Sequence, residues 1–431
     1  MPVLDGTDLG TRFLALVGGS VRSAAADAKR AGYRLIAIDR FGDQDLLELS
    51  DHWIFYDDQN QWIERLRKLP LAPLVPVGGF QWPETVRFNA DSAYLLGDRL
   101  IAYPNPSILQ SLNCPVRLAN AAQQCGITFP QTRSIDFTLG AQPASRSFDD
   151  PSYDPCPDLW GGKSWLLKPI QHSGGAGIRF ADHLRPGDEA THYLQERLSG
   201  VPLGVNYIAW RDAGGLKVKL LGAFRGLTFR HDEHPFLYGG SLGPVRLLPS
   251  TLERMSRIGH TIAREFSLVG VFNVDLIMRP NESLALLEVN PRYSASMELL
   301  HGSNGNHIAL DRTSLIDWHL AAHQGDTRLG AEVERWLVGN LQETTMSYGC
   351  KRVVYCGNWE PHIVWKRLER GSDLARKDSR THLELKICDL PCNESSIVPG
   401  GPLCTVLVRN AKSPHEALRA SKWLARQIEN A

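Results

Sequence analysis

VFNVDLIMRPNESLALLEVNPR, residues 271–292, carries two apolar runs on either side of a short polar turn, and its reading decides the fold. The alternation predicts strands over 269–278 and 284–289, joined through RPNES into a hairpin. Period-two alternation puts Glu288 and Asn290 on one face, and the neighbouring strand brings Asp275 beside them. A lone acid on a strand usually faces solvent. Here Leu284, Leu286 and Leu287 surround the acids, and charge in an apolar setting needs a compensating cation. Three oxygen donors on one face suit hard magnesium ions bridged to phosphates. Two residues on, Arg292 offers a bidentate fork for a phosphoryl group in transfer.

Upstream, SWLLKPIQHSGGAGIRF (164–180) reads as a strand that delivers Lys168 to its end, followed by a glycine-rich loop. Gly174, Gly175 and Gly177 let the backbone approach an anion, and an ammonium beside peptide N–H groups suits a polyphosphate. His172 in that loop reads as a solvated bystander. The nearby Gly162-Lys163-Ser164 imitates the tail of a P-loop, but Pro157 stands where the first glycine is required, and Ser164 opens a strand rather than a helix.

Working outward, FLALVGG (13–19), a helix over 21–31 and RLIAID (34–39) form a βαβ unit of a doubly wound sheet. PLVPVGGF and RLIAYPNP continue that pattern to about residue 105. The turn GGSVRS lacks the dinucleotide fingerprint, so Asp39 is weak evidence for a ribose-binding acid. Gly18 and Gly19 are read as permitting a tight turn and Ser20 as the helix cap. Residues 134–162, rich in Pro, Asp, Ser and Gly, read as a surface insertion. Strands are expected at 164–168, 203–210 and 216–224, with helices at 250–266 and 307–323. The expected organisation is therefore a Rossmann-like α/β domain (1–110), an α+β domain (111–325), and a small C-terminal α+β, β-rich region (326–431) ending in a helix over 414–428.

In a chain of 431 residues, Lys plus Arg and Asp plus Glu both number 47, so no net field recruits nucleic acid or an anionic membrane. MPVLDGTDLG lacks a basic leader, and no apolar run reaches the roughly 20 residues of a membrane span, so a cytoplasmic location is expected. Eight cysteines are too sparse for a disulfide scaffold. Cys350, Cys356, Cys388, Cys392 and Cys404 lack a CxxC pair and read as small core residues rather than a metal site.

Together these segments resemble the ATP-grasp superfamily over most of the chain. LKPIQHSGGAGI resembles its glycine-rich loop with the phosphate lysine Lys168, and LLEVNPRYSASMEL its magnesium-binding ExN segment, with Asp275 as the preceding metal acid. YLQERLSGVPLGVNYIA resembles the adenine-holding hinge, with Gln195 to Leu198 as linker and Glu196 as polar anchor. The resemblance implies an ATP-grasp fold with a preATP-grasp domain, ATP as co-substrate, two Mg2+ ions (with Mn2+ as a substitute), and small carboxylate and amine substrates. A homodimer is compatible with this reading, and the sequence does not fix the oligomeric state. Its basic residue ahead of the first helix of the ATP domain is matched by Arg117, where many relatives carry Asp-Lys. The acid that often holds the ATP ribose is replaced by Leu203.

A narrower resemblance is to ligases of methanofuran and tetrahydromethanopterin cofactor pathways, including tyramine–glutamate ligase. It rests on VGGSVRSAAADAKRAGY, on FLYGGSLGP, and on CDLP followed by IVPGGPLCTVLV. It places Tyr238, Gly240 and Ser241 at the border of an acceptor site, against a strand-turn-strand packing role for the same residues. The implied reaction makes an acyl phosphate from a carboxylate such as glutamate, to be captured by an amine, with Lys168 and Arg292 positioning the phosphoryl group. The alternatives are an ATP-grasp carboxylase or other peptide ligase, and a catalytically silent nucleotide-binding module.

Overall fold

The computed structural model describes residues 12–83, 99–135, 164–170, 174–185, 187–231, 234–300, 313–341, 347–357, 361–377, 382–393 and 400–429. His172, the GGKS segment apart from Ser164, Cys156, Asp232, Glu233 and the insertion beyond residue 135 lie outside them.

The chain opens with β1 (Phe13–Val17), α1 (Arg22–Arg30), β2 (Arg34–Asp39), α2 (Gln44–Leu49), β3 (His52–Phe55), α3 (Gln61–Arg67) and β4 (Leu74–Pro76). The four strands form a parallel sheet in the order β3-β2-β1-β4. Leu14 to Val17 and Leu35 to Ile38 are fully buried, as strands covered on both faces must be. The expected run at 99–106 contributes only one bridge, from Leu74 to Ile101, because Pro104 and Pro106 interrupt it. Ser20 does not cap α1 either. The N-cap is Val21, whose N–H donates to Asp39 Oδ2 at 2.8 Å, while Asp39 Oδ1 accepts from Phe41 and Gly42. Asp39 is thus a buried turn-and-cap residue, and those three bonds account for its place at the end of β2.

Two short helices, α4 (Pro106–Leu112) and α5 (Pro115–Gln124), each start with proline at the position whose N–H would be orphaned. A small antiparallel sheet follows, ordered β5-β8-β6-β7, from β5 (Thr132–Ser134), β6 (Trp165–Pro169), β7 (Arg179–Phe180), the single turn α6 (Asp188–Thr191) and β8 (His192–Glu196).

β9 (Val201–Asp212), β10 (Gly215–His231), β11 (His234–Gly243), α7 (Pro249–Glu265), β12 (Gly270–Met278) and β13 (Leu284–Asn290) build the main sheet. For FLYGGSLGP, one of the two expected roles was strand-turn-strand packing; residues 236–243 lie in one strand, β11, whose register against β10 shifts at a bulge and whose Gly240 takes a positive φ of 126°. After the 3-10 turn Ala295–Leu299 come α8 (Leu315–Gln324), α9 (Leu329–Leu341), β14 (Tyr348–Tyr355), α10 (Pro361–Lys377), β15 (Glu384–Cys388), β16 (Pro402–Ala411) and α11 (Pro414–Glu429). β14 to β16 continue the same sheet, giving eight antiparallel strands in the order β13-β12-β9-β10-β11-β14-β16-β15. No break in the sheet marks residue 326.

Alternation divides this sheet. Leu203, Val205 and Tyr207 of β9, with Phe272, Val274 and Leu276 of β12, pack under Met255, Ile258 and Ile262 of α7. The intervening residues of β9 and β12 look to the other face, where the polar groups gather. A separate core behind β14 and β16 holds Cys350, Cys356 and Cys404 with Leu424 and Ile428 of α11. Among the described residues no helix is long and apolar enough to cross a membrane.

Candidate active site

The β12–β13 hairpin sets Asp275 opposite Glu288 and Asn273 opposite Asn290, so the expected trio sits on one face. Continuing across β9, Asn206 lines up with Asn273, and Gly204 with Asp275. A Cβ at position 204 would lie 3.1 Å from Asn273 Nδ2, a tight contact, and 3.5 Å from Asp275 Oδ1, an ordinary one, so the glycine chiefly spares Asn273. Leu203, at the expected ribose-acid position, points the other way into the α7 core.

Asn290 Nδ2 donates to Asp275 Oδ2 and to Glu288 Oε1, each at 3.1 Å, and its Oδ1 accepts from Arg292 at 2.8 Å. Burial, and then the charge and hydrogen bond of Glu288, push the Asp275 carboxyl well above its ordinary range, while Arg292 and Lys168 act in the opposite direction. Two carboxyls and an amide oxygen are a hard-cation donor set, and their crowding is what a divalent ion would relieve. As assigned, the Asn290 amide presents its N–H2 to the acids, where a cation would require its oxygen; that orientation is set by hydrogen bonding, which a bound ion changes. Among the described residues no group of three or more His, Cys, Asp and Glu side chains is placed to hold a metal ion, so a cation here would rest on two carboxyls and the Asn290 amide.

Beneath the pair lies a buried polar layer. Asn206 Nδ2 donates to Ser296 Oγ at 3.1 Å, and Ser294 Oγ donates to Asn206 Oδ1 at 3.1 Å. With its amide turned over, Asn273 donates to Asp275 Oδ1 at 2.8 Å. Asn206, Asn273, Ser294 and Ser296 were not picked out from the sequence, although the asparagines in VNYIA and VFNVD interrupt otherwise apolar strands and were a visible signal.

Lys168 enters from the small sheet. It is buried near the end of β6, its Nζ donates to Gln195 Oε1 at 3.2 Å, and its charge reaches Asp275. Gln195 is buried and its Nε2 donates to Thr132 at 3.2 Å. Glu196 ends β8 in the small sheet and Val201 begins β9 in the large one, so Gln195 to Leu198 lead into the passage between lobes. Glu196 Oε2 accepts from the Gln131 N–H at 3.3 Å. Gly174, Gly175 and Gly177 all take positive φ, at 64°, 77° and 75°, where side chains are strained. Arg117 lies elsewhere. It bonds Ser111 and Glu265 and sits over the Phe266 ring, packing α5 on α7, and none of its contacts is with the other expected site residues.

The parallel sheet adds a component that the sequence reading did not assign. Strand order reverses between β1 and β4, and the crevice at such a point is where open α/β sheets hold ligands. There Gly19 donates to Gly78 O at 2.7 Å, and a Cβ on Gly78 would lie 3.4 Å from Arg292 Nη1. The bare glycine edge of one domain thus meets the guanidinium of the other.

Two lobes joined by a strand-to-strand passage, a glycine loop from the small sheet and paired acids on the large one invite comparison with known proteins. A family model described as an ATP-grasp domain matches residues 145–296. The chain has the ATP-grasp fold. Over nearly its whole length that fold is similar to carboxyaminoimidazole ribonucleotide synthase from Aspergillus clavatus solved with ATP, at 14% identity and a TM-score of 0.62, covering 98% of this chain and 99% of that one. An L-amino acid ligase from Bacillus licheniformis gives 13% identity and 0.62, covering 97% and 98%. The biotin carboxylase domain of Hydrogenobacter thermophilus 2-oxoglutarate carboxylase, solved as a dimer with MgADP, ADP and bicarbonate, gives 11% and 0.60, covering 95% and 89%. No curated protein sequence matches.

Proposed function

We propose that the protein is an ATP-dependent, ADP-forming ligase that activates a small carboxylate as an acyl phosphate and transfers it to an amine. The observation that carries this reading is the cluster of Asp275, Glu288, Asn290 and Arg292 on the large lobe, with Lys168 of the small lobe near enough for its charge to act on Asp275. Asp275, Glu288 and the Asn290 amide oxygen would hold Mg2+, which neutralises charge on the β- and γ-phosphates. Lys168 binds the same phosphates from the small lobe, and Glu196 with Leu198 borders the base. Arg292 orients the transferring phosphoryl group against the incoming carboxylate, and Gly78 leaves that carboxylate room at the switch point. Substrate oxygen attacks phosphorus, ADP leaves, and the amine then displaces phosphate from the acyl carbon. The loop over Gly174 to Gly177 excludes water from that intermediate.

Within this class the narrower reading joins glutamate to tyramine or tyrosine, as in the cofactor-pathway ligases that the VGGSVRS, FLYGGSLGP and CDLP segments resemble. A carboxylase or another peptide ligase is the second reading, since a carboxyaminoimidazole ribonucleotide synthase and an amino-acid ligase share this fold at the same TM-score of 0.62. ADP release from MgATP, assayed with glutamate plus tyramine or tyrosine and separately with bicarbonate, tests both. Amine-dependent release with amide product supports the ligase. Bicarbonate-dependent release supports the carboxylase, and ATP binding without ADP formation across a broad panel of acids and amines supports neither.

A further inference from the structure

The glycine loop does not hang free in this structure. Tyr238 N–H of β11 donates to Gly174 O at 2.9 Å, and Gly175 lies so close to β11 that a Cβ there would meet the Phe236 carbonyl oxygen at 2.0 Å. Just past the loop, the Phe180 ring lies 5.3 Å from the Phe236 ring and 5.4 Å from the Arg197 guanidinium of the inter-lobe passage. One backbone bond, one side-chain-free contact and one aromatic pair therefore seat the loop on a strand of the opposite lobe. The strand is itself held from behind. Tyr355 Oη of β14 donates to Tyr238 O at 2.9 Å, and its ring stacks on Phe229 of β10 at 4.4 Å.

We propose that Phe236 and Tyr238 of β11 form the seat of the closed glycine loop, with Tyr355 as its brace. This assigns the C-terminal strand β14 a part in nucleotide capture. The proposal rests on the reading of Gly174 to Gly177 as the cover over the phosphates. Phe236 and Tyr355 are positioning residues: they act by fixing where the loop closes. Because β11 belongs to the large lobe, seating the loop there joins the two lobes at a second place beyond the passage at 197–200, and the two junctions meet at the Phe180 ring.

The test is hydrogen exchange by mass spectrometry on the full chain, first without nucleotide, comparing wild type with F236A, F236Y and Y355F. Peptides covering 174–180 and 237–241 should exchange roughly 10-fold faster in F236A, consistent with loss of a closely packed aromatic pair, while β12 peptides stay unchanged. F236Y should restore protection, and Y355F should show a smaller rise of about 3-fold at 237–241 only. Calorimetric titration with the Mg2+ complex of a non-hydrolysable ATP analogue should show affinity falling by about 3- to 10-fold in F236A and recovering in F236Y. Unchanged exchange at both peptides in F236A and Y355F overturns the seat. Should F236A fail to fold, Y355F and the rate of the wild-type Tyr238 amide decide the matter, and an unprotected Tyr238 amide overturns the seat. A wild type that does not bind the analogue overturns the ligase reading instead, while the nucleotide-free exchange data still judge the seat.

Discussion

Glu288 and Glu298 belong to one short stretch of chain, yet their surroundings are opposite. Glu298 is buried between cations: Arg22 Nη1 and Nη2 both bond it, the latter at 3.1 Å, and Lys351 Nζ lies at 2.7 Å. Burial opposes its charge, but Arg22 and Lys351 outweigh burial and hold the carboxyl well below its ordinary range. Glu288 instead faces Asp275, with an amide between them. The first acid is satisfied by the folded chain and ties three regions together, since Arg22 also bonds Asp389 at 2.8 Å. The second lies beside another carboxyl, Asp275, whose pKa it helps to raise, and under the proposed function this pair would hold a cation and its phosphates.

The contrast breaks most directly at Glu288. Glu288→Gln should lower ADP formation by roughly 10^4-fold, because under the proposed function it removes a charged metal donor from the site of transfer. In metal-free buffer the same variant should be as stable as wild type, or more stable by about 1 kcal/mol, since it relieves like-charge repulsion. An ADP assay beside urea unfolding in EDTA reads both. Wild-type turnover in the variant would remove the metal role.

Glu298→Gln should behave in the reverse sense. Removing one partner from a buried ion cluster leaves Arg22 and Lys351 undercompensated, at a cost of roughly 3–5 kcal/mol. The expected readout is a lower denaturant midpoint, unaffected by EDTA. A stability change below about 1 kcal/mol would mean that Asp389 and Asp45 suffice for Arg22.

Much of this was legible in the sequence, and for a physical reason. Asp275, Glu288 and Asn290 are fixed by strand alternation within one hairpin, a local pattern that a sequence displays. Lys168 and the three glycines are likewise local. Pairing between distant segments is not local. Nothing near Arg22 announces Glu298, and nothing near the glycine loop announces β11. The segments behind the narrower resemblance turn out to contain such distant partners: Arg22 comes from VGGSVRS, Asp389 from CDLP, and Ser241 of FLYGGSLGP pairs across the sheet with Lys351. Arg117 was assigned from its place in the motif alone, whereas a helix face decides direction, and in the fold this one turns toward Glu265.

His319 supplies a pH-dependent case of a buried titratable group whose bonds are made by the folded chain. It is buried, accepts the Val271 N–H at its Nδ1 (3.0 Å) and bonds Ala102 O through Nε2 (2.8 Å), joining the parallel sheet to the start of β12. Burial lowers its pKa from 6.5 to about 4, against the two backbone bonds. The unfolded chain therefore binds the extra proton first as pH falls. The stability is complete above 6.5, declines from there toward pH 4, and changes no further below it; the loss attributable to this group is about 3 kcal/mol. His319→Gln should remove that part of the acid dependence, seen as a flatter plot of unfolding free energy between pH 4 and 6.5. An unaltered slope would place the acid sensitivity elsewhere.

The smallest expected effect separates the two lobes. Lys168→Ala should weaken binding of the Mg2+–nucleotide complex by about 10-fold, the scale of one ammonium–phosphate contact, with little change in stability. Its ammonium is held by Gln195 and lies near the Tyr193 ring, so the small sheet keeps its strands without it. Lys168→Arg should recover only part of the affinity, because a planar fork cannot reuse a socket built for a point charge. If calorimetry finds the alanine variant binding as tightly as wild type, the phosphates do not lie between Lys168 and Asp275, and the two lobes do not close on one ligand there.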